Sequence, residues 1–147
     1  MTTPITDFHG DNLFLSNFWK LNAEGSTTEH LFQASKTLDL DQRLAVLTAA
    51  TPGDAKKMGR TVTLRPDWDD IKFQVMADIQ AQKFSQPELR TRLVSTGNAY
   101  LIEGNNWGDR YWGAEFVNDG VAPPRWVGEN NLGKILMAVR ATLRAAL

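Results

Sequence analysis

Apolar positions along this chain recur mostly at three- and four-residue steps, the period of one helical face, and only a few short runs suit a strand. Ser26 and Glu29 stand three residues apart in the manner of a capping box, and Leu31, Ala34 and Leu38 then supply a helical apolar stripe. Residues 41–50 predict a second helix; Pro52 opens a short third one at its first position, and Gly59 ends it near Arg60. Pro66 sets up a long amphipathic helix over residues 66–84, with Trp68, Ile71, Val75, Met76 and Ile79 on its apolar side. Pro87 opens another, with Leu89, Leu93 and Val94 as its buried edge and a stop near Gly97. Asn130 or Asn131 caps a last helix carrying Leu132, Ile135, Leu136, Val139 and Leu143.

Strand-like runs are fewer. Residues 13–19 are apolar and aromatic enough for a short strand or extended segment before a turn at residues 22–25. Residues 99–103 resemble a strand, residues 112–117 predict a second, and residues 119–128, with Pro123 and Pro124, read as a loop. The fold class expected is α+β, helix-dominated, with a few short strands and no internal repeat.

Length and composition narrow the picture. The 147 residues fit one domain, 1–147, with bulk enough for a real core. No apolar stretch approaches the ~20 residues of a membrane span. Residues 1–7 lack a signal peptide's basic start and apolar stretch, and the absence of cysteine agrees with a cytoplasmic protein. Without cysteine there is no disulfide and no thiolate site, and His9 and His30 are too far apart in sequence to suggest zinc. The formal net charge of −1 argues against general binding to a nucleic-acid backbone, though not against a single phosphorylated nucleotide.

Chemistry must therefore run on carboxylates, amides, lysines and aromatics. Glu29, Gln33 and Lys36 share one helical face at i, i+4 and i+7, which is either a polar site or a solvated surface, and Glu29 alone is also explained by capping. Trp68, Lys72, Met76 and Lys83 fall close to one line on the long helix; Trp68 suits the core and Lys83 suits the negative end of the helix dipole. Glu103 closes an apolar run beside Tyr100. Residues 105–113 crowd two Trp, a Tyr, two Gly, two Asn, an Asp and an Arg into nine positions, either a ligand grip or a turn pinned by its aromatics. Gly133 lies inside a helical turn, where Gly costs about 1 kcal/mol against Ala, so something must need a close approach there, another helix or a ligand.

In order, Leu15-Ser16-Asn17-Phe18, Thr28-Glu29-His30, Phe32-Gln33-Ala34 with Lys36, Ala55-Lys56, Gly59-Arg60 and Arg65-Pro66-x-Trp68 with Met76 are followed by Lys83-Phe84, Leu93-x-x-Thr96-Gly97 and Glu103. Asp109, Tyr111-Trp112-Gly113 and Gly128-x-Asn130-x-Leu132-Gly133-x-x-Leu136-Met137-x-x-Arg140 complete a set that resembles the YbiA-like family, also called the NADAR superfamily. The resemblance spans nearly the whole chain. It departs at residues 118–127, with Pro123-Pro124 and Arg125-Trp126, where substrate preference is the property at stake.

The resemblance implies a helix-rich α+β YbiA-like fold that cleaves N-glycosidic bonds. Its implied substrates are small phosphorylated ribosylamine intermediates of riboflavin synthesis, or ADP-ribosyl compounds that include ADP-ribosylated nucleobases. On this reading one of the carboxylates Glu29 and Asp109 activates water, Glu29 being favoured, the other supports the ribosyl cation, and Lys36 holds a phosphate or the leaving group. Arg60 and Lys83 are further phosphate candidates, Trp68 and Trp112 stack on base or sugar, and Asn17 and Asn130 bond hydroxyls. Glu103 and Gly113 are counted with the substrate-binding residues, while Trp107 and Arg110 match no position of the family pattern. No metal, organic cofactor, membrane or obligate protein partner is required. A module that binds ADP-ribose or a nucleotide without cleaving it is the alternative, and a protein-interaction domain is a third class.

Overall fold

The computed structural model describes residues 2–147; Met1, the start of the N-terminal stretch read above, lies outside them. Among the described residues six α-helices dominate, with one two-stranded antiparallel sheet, so the helix-dominated α+β expectation holds. Among the described residues no helix is long and apolar enough to cross a membrane. The chain divides into two compact units: Ser16–Lys83, and the segment up to Leu15 taken with Phe84–Leu147.

In Ser16–Lys83, helix α1 (Thr28–Ala34) packs against α2 (Leu40–Leu47), α3 (Pro52–Gly59) and α4 (Trp68–Lys83). Ala34, Val46 and Ala55 form a small apolar centre, with Ala49, Met58 and Val62 against it. The capping box at α1 sits one residue later than the Ser26/Glu29 pair. Thr27 is the N-cap and His30 the reciprocal partner: the Thr27 hydroxyl accepts from the His30 N–H at 3.3 Å, and the Thr27 N–H donates to His30 Nδ1 at 3.3 Å. With Nδ1 accepting, Nε2–H is left to donate to the Ala49 carbonyl at 3.0 Å, which ties the start of α1 to the end of α2. Capping therefore does not explain Glu29. The helix also ends at Ala34, so Lys36 lies beyond it and Leu38 is 59 % exposed rather than part of a buried stripe.

α2 starts behind an Asp39 cap and ends at Leu47, short of the expected residue 50, while α3 starts at Pro52 as expected, behind a Thr51 cap, and closes at Arg60. On α4 the buried line is Trp68, Met76, Ile79, Gln80 and Lys83, with Ile71 and Val75 only half-buried. Two polar groups, Gln80 and Lys83, thus share the buried line with the apolar side chains.

In the other unit, residues 13–19 do not begin as a strand: Gly10–Leu15 is a 3₁₀ helix, entered through Gly10 at φ +54°. Adjacent Phe14 and Leu15 are both buried, which a strand with alternating faces does not offer. Helix α5 (Pro87–Ser95) packs on α6 (Asn131–Ala145). Residues 99–103 make only a single parallel bridge, Ile5 with Leu101. Strand β1 (Glu115–Val117) is shorter than residues 112–117, and its partner β2 (Arg125–Val127) lies inside the stretch read as a loop. They pair antiparallel, Phe116 opposite Trp126, and those rings meet at 5.4 Å. Pro123 and Pro124 stop just short of β2, leaving its ladder donors intact.

Asn130 is the N-cap of α6 but caps with no side-chain bond; its backbone is left-handed, φ 52°. Its amide instead donates to the Leu101 carbonyl at 2.8 Å and accepts from the Glu103 N–H at 3.0 Å. Gly133 supports this: a Cβ there would lie 2.1 Å from the Leu101 carbonyl and about as close to the Asn130 amide. What needs its close approach is thus a crossing backbone segment and a side chain, neither another helix nor a ligand.

Candidate functional site

Glu29 sits on the first turn of α1, 7 % exposed, and its N–H donates to the Asn17 carbonyl at 3.0 Å. One turn on, Gln33 Nε2 donates to Glu29 Oε1 at 2.8 Å. Burial holds the Glu29 carboxyl above its usual range, against the Gln33 hydrogen bond and the charges of Lys56 and Lys36, which pull it down. The shared helical face is therefore not a solvated surface.

Lys36 stands two residues past the end of α1, its backbone fixed by the Arg65 N–H, which donates to the Lys36 carbonyl at 2.8 Å. Its ammonium lies 5.9 Å from the centre of the Phe32 ring, and Phe32 packs on Trp68 at 5.2 Å. Burial depresses the Lys36 ammonium; Glu29 opposes that, while Arg60, Lys56 and Lys72 add to it. One buried carboxyl and four neighbouring cations thus act on one another. Lys56 was quoted from the sequence only as part of a family motif and given no role, although its i, i+4 spacing to Arg60 at the end of α3 is a signal that could have found one.

Asn17 and Lys83 are buried and hydrogen-bonded within this unit. Asn17 Oδ1 accepts from the Thr28 hydroxyl at 2.8 Å and from Gln80 Nε2 at 2.6 Å, and its amide donates to Met76 Sδ at 3.6 Å. Lys83, 2 % exposed, donates from Nζ to the Ser16 carbonyl at 2.8 Å. Both hold the residue 16–17 backbone in place beneath Glu29. Trp68 is 6 % exposed, in keeping with a core position.

The remaining candidates, Glu103, Asp109, Trp112, Gly113 and Asn130, belong to the other unit. Asp109 Oδ1 accepts from the N–H groups of Tyr111 and Trp112 at 3.2 and 2.9 Å, an Asx turn that shapes the aromatic loop. Asn105 closes the same loop, accepting from the Asp109 N–H at 3.0 Å and donating to the Asp109 carbonyl at 2.8 Å. Arg110 pairs with Glu115 at 2.9 Å, and the Tyr111 and Trp112 rings meet edge-on at 4.7 Å. Gly113 is required by backbone, since a Cβ would lie 2.2 Å from the half-buried Glu103's carbonyl.

The turn separates two roles for Asp109. Asp109→Asn keeps an oxygen for both N–H groups, whereas Asp109→Ala loses both hydrogen bonds, each worth about 0.5–1.5 kcal/mol. The Asn variant is expected to melt near wild type and lose turnover, and the Ala variant to lose both. Equal turnover in wild type and Asp109→Asn would leave Asp109 with the turn alone.

The NADAR domain model matches residues 7–144. The N-glycosidase YbiA of Escherichia coli (strain K12) is 38 % identical over 146 residues, covering 94 % of this chain and 84 % of that protein. The chain belongs to the NADAR family. The NMR structure of E. coli YbiA superposes with a TM-score of 0.77 at 34 % identity, covering 99 % of this chain and 88 % of that one, so the NADAR fold is shared throughout. A riboflavin biosynthesis protein of Vibrio vulnificus (strain YJ016) is 35 % identical over 98 % of this chain, which spans 40 % of that longer protein. As a NADAR protein with these relatives, the chain is an enzyme, an N-glycosidase.

Proposed function

We propose that the chain hydrolyses the N-glycosidic bond of a phosphorylated ribosylamine of the riboflavin-pathway type, with ADP-ribosyl compounds, including ADP-ribosylated nucleobases, as the second substrate class. The reading rests on one observation above others: a buried carboxyl, Glu29, held by Gln33 and kept basic by burial, with Lys36 and Lys56 near enough to act on it and Arg60 acting on Lys36. Support for the first substrate class comes from the Vibrio relative's name and its coverage of this chain.

Cleaving the bond passes through a ribosyl cation-like state, so the site must deprotonate water as it attacks the anomeric carbon while the departing nitrogen gains a proton. A carboxylate with a raised pKa is a stronger base than an ordinary one and suits that proton transfer. Lys36, Lys56 and Arg60 suit a phosphate held as a point charge. Asp109 is assigned to the ribosyl cation on its family motif alone. The reaction is assigned to the cytoplasm, in keeping with the cysteine-free sequence.

The pH dependence follows from the two directions of shift. Glu29 must be ionised to act as a base, so kcat/KM rises as pH climbs through its raised pKa. Lys36 must be charged to hold a phosphate, so the rate falls as pH climbs through its lowered pKa. The expected profile is a bell narrower on both sides than ordinary Glu and Lys values would give. Lys36→Met should remove the alkaline limb, and a limb that persists in that variant would assign it elsewhere.

The deciding experiment is a panel of ribosylamine phosphates, NAD, ADP-ribose and ADP-ribosylated guanine, followed by mass spectrometry for ribose-side products. Release from a ribosylamine phosphate supports the first class; release only from an ADP-ribosyl compound supports the second. Thermal stabilisation by ADP-ribose with no product from any member would favour a binding module.

A further inference from the structure

Gln33 has no role in the hydrolysis described above beyond its contact with Glu29, yet its surroundings are restrictive. It is 5 % exposed, and a carboxylate can only accept, so the NH₂ end of its amide must face Glu29. That orientation turns Oε1 toward α3, where among the described residues it finds no hydrogen-bond partner. The nearest feature there is Gly59: a Cβ at that position would lie 1.9 Å from Gln33 Oε1 and 2.7 Å from Cδ. The amide is thus pressed against a helix that accommodates it only because residue 59 has no side chain. A buried acceptor left without a donor is uncommon and calls for a reason beyond packing.

We propose that Gln33, clamped by Gly59, is a positioning residue that commits Glu29 Oε1 and leaves Oε2 as the oxygen that takes the proton from water. Among the described residues no hydrogen bond reaches Glu29 Oε2, while Oε1 is held at 2.8 Å. The Gln33 side chain fixes the carboxylate plane, and Gly59 fixes Gln33, so a glycine on α3 sets the aim of a base on α1. Gln33 also favours the charged form of Glu29. The charges acting on Glu29 are Lys56 on α3 and Lys36 beyond α1, with the titratable His30 next to it on α1 itself and Lys72 of α4 and Arg60 acting on Lys36; α2 supplies none of them. This inference rests on Glu29 being the base.

The test is Gln33→Met, similar in length but without the amide, assayed with the ribosylamine phosphate that wild type turns over. The expected result is a fall in kcat of about 10- to 100-fold, within the scale of a misaimed base, with little change in KM. The acid limb of kcat/KM should move to higher pH, because the carboxylate loses a hydrogen bond to its charged form. In a Glu29→Gln background the same change should cost nothing further. Wild-type kcat and an unmoved acid limb, or a full additional loss on top of Glu29→Gln, would overturn the proposal. If Gln33→Met does not fold, Gln33→Asn, whose amide stops one methylene short, carries the same expectations. Failure of the base assignment reads differently: Glu29→Gln would then turn over at the wild-type rate. If Glu29→Gln is inactive while both Gln33 variants keep wild-type kcat and pH limb, only the positioning role falls.

Discussion

Glu29→Gln is expected to lower kcat by about 10²–10⁴-fold, the usual worth of a positioned general base, while leaving the melting temperature at neutral pH level or higher. The two halves of this result have one cause. The net effect of the fold on Glu29 is to disfavour the charged carboxyl, and that net direction already includes the attraction of Lys56 and Lys36. Because the folded pKa lies above the unfolded one, the native state carries an electrostatic cost above the folded pKa. That cost fades as pH falls through the folded pKa toward the ordinary glutamate range. Glutamine carries no such cost, and its own amide oxygen can still accept from Gln33 Nε2. The stability gain of the variant should therefore be largest in alkaline buffer and shrink as the buffer is acidified. Paired thermal melts and turnover assays across that range check both halves. A folded variant with wild-type turnover would remove Glu29 as the base, and a variant that melts well below wild type in alkaline buffer would mean the carboxylate is structurally stabilising.

Gly133→Ala should be strongly destabilising, although it adds only one methyl to a helix. Inside α6, alanine is intrinsically favoured over glycine by about 1 kcal/mol, so a surface position would gain stability. Here the added Cβ would stand 2.1 Å from the Leu101 carbonyl and 2.4 Å from Asn130 Nδ2. Backbone cannot swing aside as a flexible side chain does, and overpacking of this kind costs about 1–3 kcal/mol. Displacing the Asn130 amide also threatens its bonds to the Leu101 carbonyl and the Glu103 N–H, at about 0.5–1.5 kcal/mol each. The balance is a net loss of about 3 kcal/mol, which lowers the melting temperature of a domain this size by about 10 °C. An unchanged or raised melting temperature by calorimetry would show that the close approach does not constrain this position.

The helices were legible because their signals are local. Pro52 and Pro87 each open a helix at its first position, and the apolar spacing of α6 is nearly that of its buried face. The errors fall where a local signal has two outcomes. The run at residues 13–19 is apolar on consecutive positions, a pattern that suits a strand and a tight helical turn equally, and burial of both Phe14 and Leu15 selects the turn. Ser26 and Thr27 are both competent caps; Thr27 prevails because His30 can answer it and also reach the Ala49 carbonyl. Asn130 has a capping residue's chemistry but spends its amide on the crossing segment. Strand β2 was missed because three residues beside a Pro-Pro pair carry no period of their own and gain order only by pairing with β1.

The amino-acid sequence by itself determined the helix-dominated fold class, the family, and which residue types are present for chemistry, because helix period, proline position and ordered motifs are written in the chain. Tertiary structure alone decided what those residues experience. The pattern Glu29, Gln33, Lys36 is equally a wet surface or a buried site, and only the packing of α2, α3 and α4 around α1 removes water from it. That removal raises the carboxyl, depresses the lysine and leaves one carboxylate oxygen committed to Gln33. Spacing along a chain fixes which side chains share a face; desolvation depends on what covers that face.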